Sequence, residues 1–168
     1  NYRFKNTEVV GTREITFDPE RRTVNLVSGF VQDEINLVKD TLKFIVGSKL
    51  EYNDYTGVEV QPSARIVWEM NDKNTIWAAV SRAVRTPSAS DFDLHINLAA
   101  FPIPGGVGEA VAFGNPNLES EKLIAYELGY RLKPEDTLFF DLATFVNSYD
   151  NLRSNENGTP FPVLLPAP

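Results

Sequence analysis

Lys122-Leu-Ile-Ala-Tyr126-Glu-Leu-Gly-Tyr130-Arg-Leu132 puts Ile124, Tyr126, Leu128, Tyr130 and Leu132 on one side of an extended chain. Ala125, Glu127, Gly129 and Arg131 fall on the other. A period of two sustained over such a run belongs to a β-strand, whose successive side chains point to opposite faces. Residues 42–52 repeat it. Leu42, Phe44, Val46, Leu50 and Tyr52 share a face that only Ser48 interrupts, against Lys43, Gly47, Lys49, Glu51 and Asn53, with Ile45 as the exception. Working outward, residues 25–37, 59–70, 75–85 and 137–149 read as further strands. Pro62 removes a ladder donor, so the strand carrying it is frayed, bulged or at an edge there. Residues 1–21 open on a strand-like Asn1-Tyr-Arg-Phe4 but are otherwise mixed and polar, with Asp18-Pro19-Glu20-Arg21-Arg22 as a breaker. Residues 86–120, with Pro87, Pro102, Pro104, Pro116 and the Gly105-Gly106-Val107-Gly108 run, read as one long irregular loop, far beyond the usual ~4–6 residue connection. The expected fold is all-β, an antiparallel meander of about six long strands.

Composition narrows the function. The 168 residues carry a formal net charge of −7, which disfavours a nucleic-acid partner. There is no cysteine and one histidine, so thiolate sites, disulfides and His-based metal sites or triads are disfavoured. No run of ~18 apolar residues encodes a transmembrane helix, but that leaves strand-based membrane crossing open. No signal peptide opens the chain, and it reads as a segment of something longer.

The strands are long, about 11–13 residues, against a usual ~5–6. Roughly 9–11 tilted residues cross a bilayer. The connections alternate in kind. Residues 38–41, 71–74 and 133–136 are tight polar turns, whereas 54–58, 86–120 and the stretch after 152 lie at the opposite end. Short turns on one side and long excursions on the other are a feature of outer-membrane barrels. Trp68, Trp77, Phe139 and Phe140 sit near the tight turns, and Tyr52 and Tyr55 near the excursions, as interfacial aromatic girdles would. Ordinary cross-strand pairing is the alternative reading.

Several phrases carry a family resemblance. Trp77-Ala-Ala-Val-Ser-Arg82-Ala-Val-Arg85-Thr-Pro87, then Gly114-Asn-Pro-Asn-Leu118-Glu-Ser-Glu121, then Tyr126-Glu-Leu-Gly-Tyr130 resemble the C-terminal barrel region of TonB-dependent outer-membrane receptors. Phe30-Val-Gln-Asp-Glu34 and Ala143-Thr-Phe-Val-Asn-Ser-Tyr149-Asp-Asn-Leu152 are similar to other strand phrases of that family. The resemblance spans residues 22–153. It implies part of a roughly 22-stranded transmembrane β-barrel in the outer membrane of a Gram-negative bacterium. Residues 1–168 then form a partial barrel domain, with the plug and the remaining strands absent. It further implies TonB-energised uptake of a ferric siderophore, a cobalamin-like compound or a similar chelate, with the TonB complex and outer-membrane lipid as partners. No cofactor is implied, and the segment alone would not transport.

Candidate site residues follow. Arg82 and Arg85 stand at the loop end of their strand and are candidates to line an anionic ligand's path; the plainer alternative is pairing with carboxylates such as Glu127. Glu127 and Arg131 share one face, which a barrel turns inward. Pro87, Gly114, Asn115 and Pro116 are expected to shape the loop, through fixed φ, positive φ and Asx-type turns. No GK[ST] follows Gly105–Gly108, so a phosphate loop is rejected. His95 with Asp91 and Asp93 is more simply a solvated loop cluster than a metal site. Asn157-Gly-Thr159 is a glycosylation sequon by pattern only. No carboxylate pair suggests acid–base catalysis, so no enzyme is expected. The competing reading is a soluble, secreted all-β ligand-binding module.

Overall fold

The computed structural model describes residues 1–12, 14–104 and 106–161. Ten strands and one short helix follow in the order β1 Tyr2–Glu8, β2 Ile15–Phe17, β3 Arg21–Val38, β4 Leu42–Asn53, β5 Gly57–Asn71, β6 Asn74–Arg85, α1 Ala89–Asp93, β7 Leu94–Ile103, β8 Gly106–Phe113, β9 Glu121–Glu135 and β10 Leu138–Asp150. Seven of them form one antiparallel sheet in the order β1-β3-β4-β5-β6-β9-β10, and the others form a second sheet, β2-β7-β8. The large sheet is a meander and is not closed: β1 and β10 are its edges.

The long strands anticipated from alternation are all present; β3, β5 and β9 exceed the expected length, at 18, 15 and 15 residues. Two expectations need correction. The stretch before residue 21 contains β1, which pairs with β3 from Tyr2↔Val27 to Glu8↔Arg21. Its alternation covers too few residues to stand out. The 86–120 excursion is not irregular: it holds α1 and the β7–β8 hairpin, hidden in the sequence behind prolines and glycines that read as breakers.

The register separates the large sheet into two faces. Val46, Ala64, Val80, Tyr126 and Val146 lie in one row across neighbouring strands. Leu142, Tyr130, Ile76, Trp68 and Leu42 lie in another on the same face. This face is apolar and open, with Leu128 at 55% and Leu142 at 65% exposure. The opposite face carries Lys49, Glu51, Glu59, Arg65, Glu127, Arg131 and Asp141. Among the described residues no apolar side chain is buried; the buried ones are Glu51, Asn53, Glu59, Asp91, Asp93 and Ser120. That inverts a soluble protein. A single sheet with an uncovered apolar face of this extent requires an apolar medium or a partner.

The aromatics divide accordingly. Trp68, Phe140 and Tyr52 are on the apolar face, opposite Ile76, Leu132 and Val58 respectively. Trp77 departs from the girdle expectation. It pairs with Val67 and Gly129, on the polar face, where the Arg65 guanidinium lies 4.9 Å from its ring centroid. Tyr55 departs too, packing edge-on against Phe92 at 4.9 Å in the excursion. Among the described residues no helix is long and apolar enough to cross a membrane, which says nothing of strands.

Candidate functional site

The excursion end of the sheet is consolidated around α1. Ser88 precedes the helix, and both its backbone N–H and its hydroxyl donate to Asp91 Oδ2, at 2.8 and 2.9 Å. Asp91 N–H donates back to Ser88 O at 3.0 Å, so the two residues close the first turn of the helix. Asp91 also pairs with Arg153, beyond β10, and Asp93 receives a forked pair from Arg22 of β3, at 2.6 Å from Nε and 2.5 Å from Nη2. Arg22 stacks near Tyr55 and Phe92, its guanidinium 5.6 and 5.8 Å from their centroids. Burial raises the Tyr55 phenol above its ordinary value, with Arg22 opposing the shift. Asp93 and Asp91 are therefore engaged by arginines. His95 stacks on Phe113 at 4.4 Å. Among the described residues no cluster of metal-ligating side chains exists.

The segment closing the excursion docks on the same helix. Gly114 N–H donates to Leu94 O at 2.6 Å and Asn115 N–H to Asp91 O at 2.8 Å. A Cβ on Gly114 would meet the Phe92 backbone at 2.6 Å. Gly114 does not have a positive φ; among the described residues Asp40, Asn151 and Gly57 do. Its glycine thus answers to close approach of two backbones, not to the positive φ anticipated. Asn115 Oδ1 accepts from Asn117 N–H at 2.9 Å, an Asx turn around Pro116. Pro87 stands one residue before the helix cap. Gly105 lies outside the described residues; Gly106 and Gly108 are in β8, so no helix follows that run.

Beside this closing segment lies an open cleft of about 430 Å³, lined among others by Tyr55, Glu59, Leu118, Glu119, Ser120 and Lys122. Its floor is tied. Ser120 is buried and donates to Thr56 Oγ1 at 3.1 Å, and Asn53 caps the 54–56 turn by accepting from Tyr55 and Thr56 N–H at 3.0 and 2.9 Å.

The four charged candidates are not brought together. The β5–β6 ladder stops at Ser63↔Ser81, next to Pro62. Arg82 fills the gap: its guanidinium donates to Val60 O and stands 3.5 Å from Glu59. Arg85 lies opposite Glu121 and reaches both its carboxylate oxygens at 3.0 Å. Neither arginine pairs with Glu127. That residue sits mid-strand on the polar face, between Ala79 and Phe145, and its side chain makes no hydrogen bond or ion pair among the described residues. Arg131 is near the tight-turn end, opposite Thr75, and its Nε and Nη2 both donate to Asp141 Oδ2 at 3.0 and 2.5 Å. Sequence reasoning missed Arg22, Phe92 and Arg153. Only Ser88-x-x-Asp91, a helix-capping pattern, signalled the helix that gathers them.

A long-stranded, two-faced antiparallel sheet with tight turns at one end and structured excursions at the other is a section of β-barrel wall. The chain belongs to the TonB dependent receptor-like, beta-barrel family, whose match covers residues 1–165. This is a family of receptors, not enzymes, and its members are outer-membrane proteins of Gram-negative bacteria. No curated protein matches the sequence significantly. Among solved structures, the chain is similar to the siderophore receptor PirA from Acinetobacter baumannii, with a TM-score of 0.64 and 21% identity over 77% of this chain and 18% of that one. A mutant of the ferric enterobactin receptor PfeA from Pseudomonas aeruginosa, in complex with enterobactin, gives 0.66 and 22% over 77% and 19%. The siderophore receptor PirA from Pseudomonas aeruginosa gives 0.62 and 21% over 77% and 24%. The chain thus spans about a fifth of the length of these neighbours. The soluble-module reading has no support from the family or the fold.

Proposed function

We propose that residues 1–168 are a section of the outer-membrane barrel of a TonB-dependent receptor that takes up a ferric siderophore. The observation carrying this is the two-faced sheet, which fits lipid on one side and a polar lumen on the other, in a chain of this family. Its solved neighbours are receptors named for siderophores, which favours that ligand class over a cobalamin-like chelate. In this reading the apolar face meets outer-membrane lipid, and further strands of the same barrel pair with β1 and β10. A plug elsewhere in the protein engages the TonB complex. This section alone would not transport, because an unclosed sheet encloses no lumen. Arg82 and Arg85, at the outward end, are the stronger candidates for ligand contact. Glu127 and Arg131 line the wall deeper in, and Pro87, Gly114, Asn115 and Pro116 hold the loop's shape.

The test is genetic and biochemical. Deleting the gene should abolish growth on one ferric chelate of a panel under iron limitation, and the cloned gene should restore it. The full-length protein should migrate heat-modifiably from outer-membrane extracts. Unimpaired growth on every chelate, together with absence from the outer membrane, would overturn the proposal.

A further inference from the structure

We propose that α1 is a fixed anchor dividing the 86–120 excursion into a locked base and a free distal hairpin, with the hinge at the β7–β8 register irregularity between Asn97 and Ala99. The anchor is built from separate connections. Arg22 grips Asp93 from β3 and Arg153 grips Asp91 from beyond β10. Backbone bonds extend the hold: Asp18 N–H donates to Asp93 O at 2.9 Å and Asn97 N–H to Glu14 O at 2.8 Å. Both carboxylates are buried, so losing either arginine strands a charge away from water. The forked geometry on Asp93 adds direction to the attraction.

Beyond the base these ties end. Pairing between β2 and β7 stops at Ile96, and the register shifts between Asn97 and Ala99. A bulge locally bends and twists a strand, so it marks where the hairpin can swing. Past it, β8 pairs only with β7 among the described residues. Leu98 and Val107 are 64% and 70% exposed. A segment with few buried contacts and solvent-exposed ladder bonds opens at low free energy, whereas a base cross-linked by buried charge pairs does not. The cleft beside residues 116–120 lies on the locked side and keeps its shape while the hairpin moves.

Hydrogen exchange of the full-length receptor in detergent, read by mass spectrometry, tests this. It needs no ligand, so failure of the siderophore reading would leave the result standing. Amides of 88–97 and 111–118 should be protected well beyond those of 98–104 and 106–110. Arg22→Gln and Arg153→Gln should each raise exchange in the base by about tenfold, as expected when a buried group loses its partner, and leave β9 unchanged. Equal protection of base and tip in the unaltered receptor, or an unmoved base in both variants, would overturn the proposal. If β9 exchange also rises, the barrel itself has loosened. Arg22→Lys and Arg153→Lys, which keep the charge without the fork, are then read by the same criterion: a rise confined to the base supports the anchor, and no rise overturns it.

Discussion

Gly129 lies directly beneath the indole of Trp77, so close that a Cβ on Gly129 would overlap the ring. The Arg65 guanidinium, from β5, also lies over the indole, 4.9 Å from its centroid. The three meet on the polar face, and the glycine's missing side chain is the space the tryptophan occupies. Gly129→Ala should therefore destabilise the barrel by about 1–3 kcal/mol, the usual penalty for overpacking. A lower urea midpoint of the full-length protein in detergent would register it. Adding Trp77→Leu to Gly129→Ala should recover much of the loss, because a leucine leaves the space open. An additive double variant would show that the two residues do not compete.

The two faces should differ sharply in their tolerance of charge. Leu128 is on the open apolar face, opposite Ala78 and Thr144. Leu128→Arg should cost ~2–4 kcal/mol on insertion into lipid, the range for a cation on the lipid face near the midplane. Ser63 belongs to the polar face, in register with Gly47. Ser63→Arg should be nearly neutral there. Folding into liposomes measures both, and similar penalties for the two would contradict the facing.

Acid should loosen the junction of β6 and β9. The Glu121 carboxyl accepts from Arg85 and from the Arg153 backbone N–H, at 3.0 and 3.2 Å, and these hold it below the usual glutamate value. A carboxyl depressed in the folded state stabilises the protein above its unfolded value. That contribution disappears as the pH falls through the lowered folded value. Glu121→Gln should flatten this acid limb by removing the contribution at neutral pH, so the two proteins differ slightly at neutral pH and converge in acid. The effect should be small and weakened by salt, because Arg85 is 62% exposed. A stability–pH curve identical in both proteins would exclude the pair as its source.

Gly114→Ala tests the docking of the closing segment. The atoms a Cβ would meet belong to the Phe92 and Asp91 backbone, within 2.6–2.9 Å, and cannot rotate away. The substitution should displace 114–118 from α1 and raise hydrogen exchange there, with the barrel strands unaffected. Gly158→Ala, in open space, should do nothing and serves as the control.

Much of this protein was legible in its residues because strand periodicity is local. Leu42 to Tyr52 and Ile124 to Leu132 declare their faces without reference to any partner, and the tight turns declare which end they occupy. Family phrases around Trp77, Gly114 and Tyr126 supplied the rest of the architecture. Tertiary structure alone decided what depends on distant segments meeting. β6 pairs with β9 across the whole excursion, and Arg85 finds Glu121 instead of Glu127 because register, not composition, sets cross-strand partners. Arg22 finds Asp93 from 71 residues away. Trp77, which reads as a membrane-interface residue, turns to the polar face because a one-residue step in a strand reverses its side. The hairpin was hidden because Pro102, Pro104 and the glycines signal turns locally, while β2 and α1, brought in by the fold, supply the pairing that holds its base.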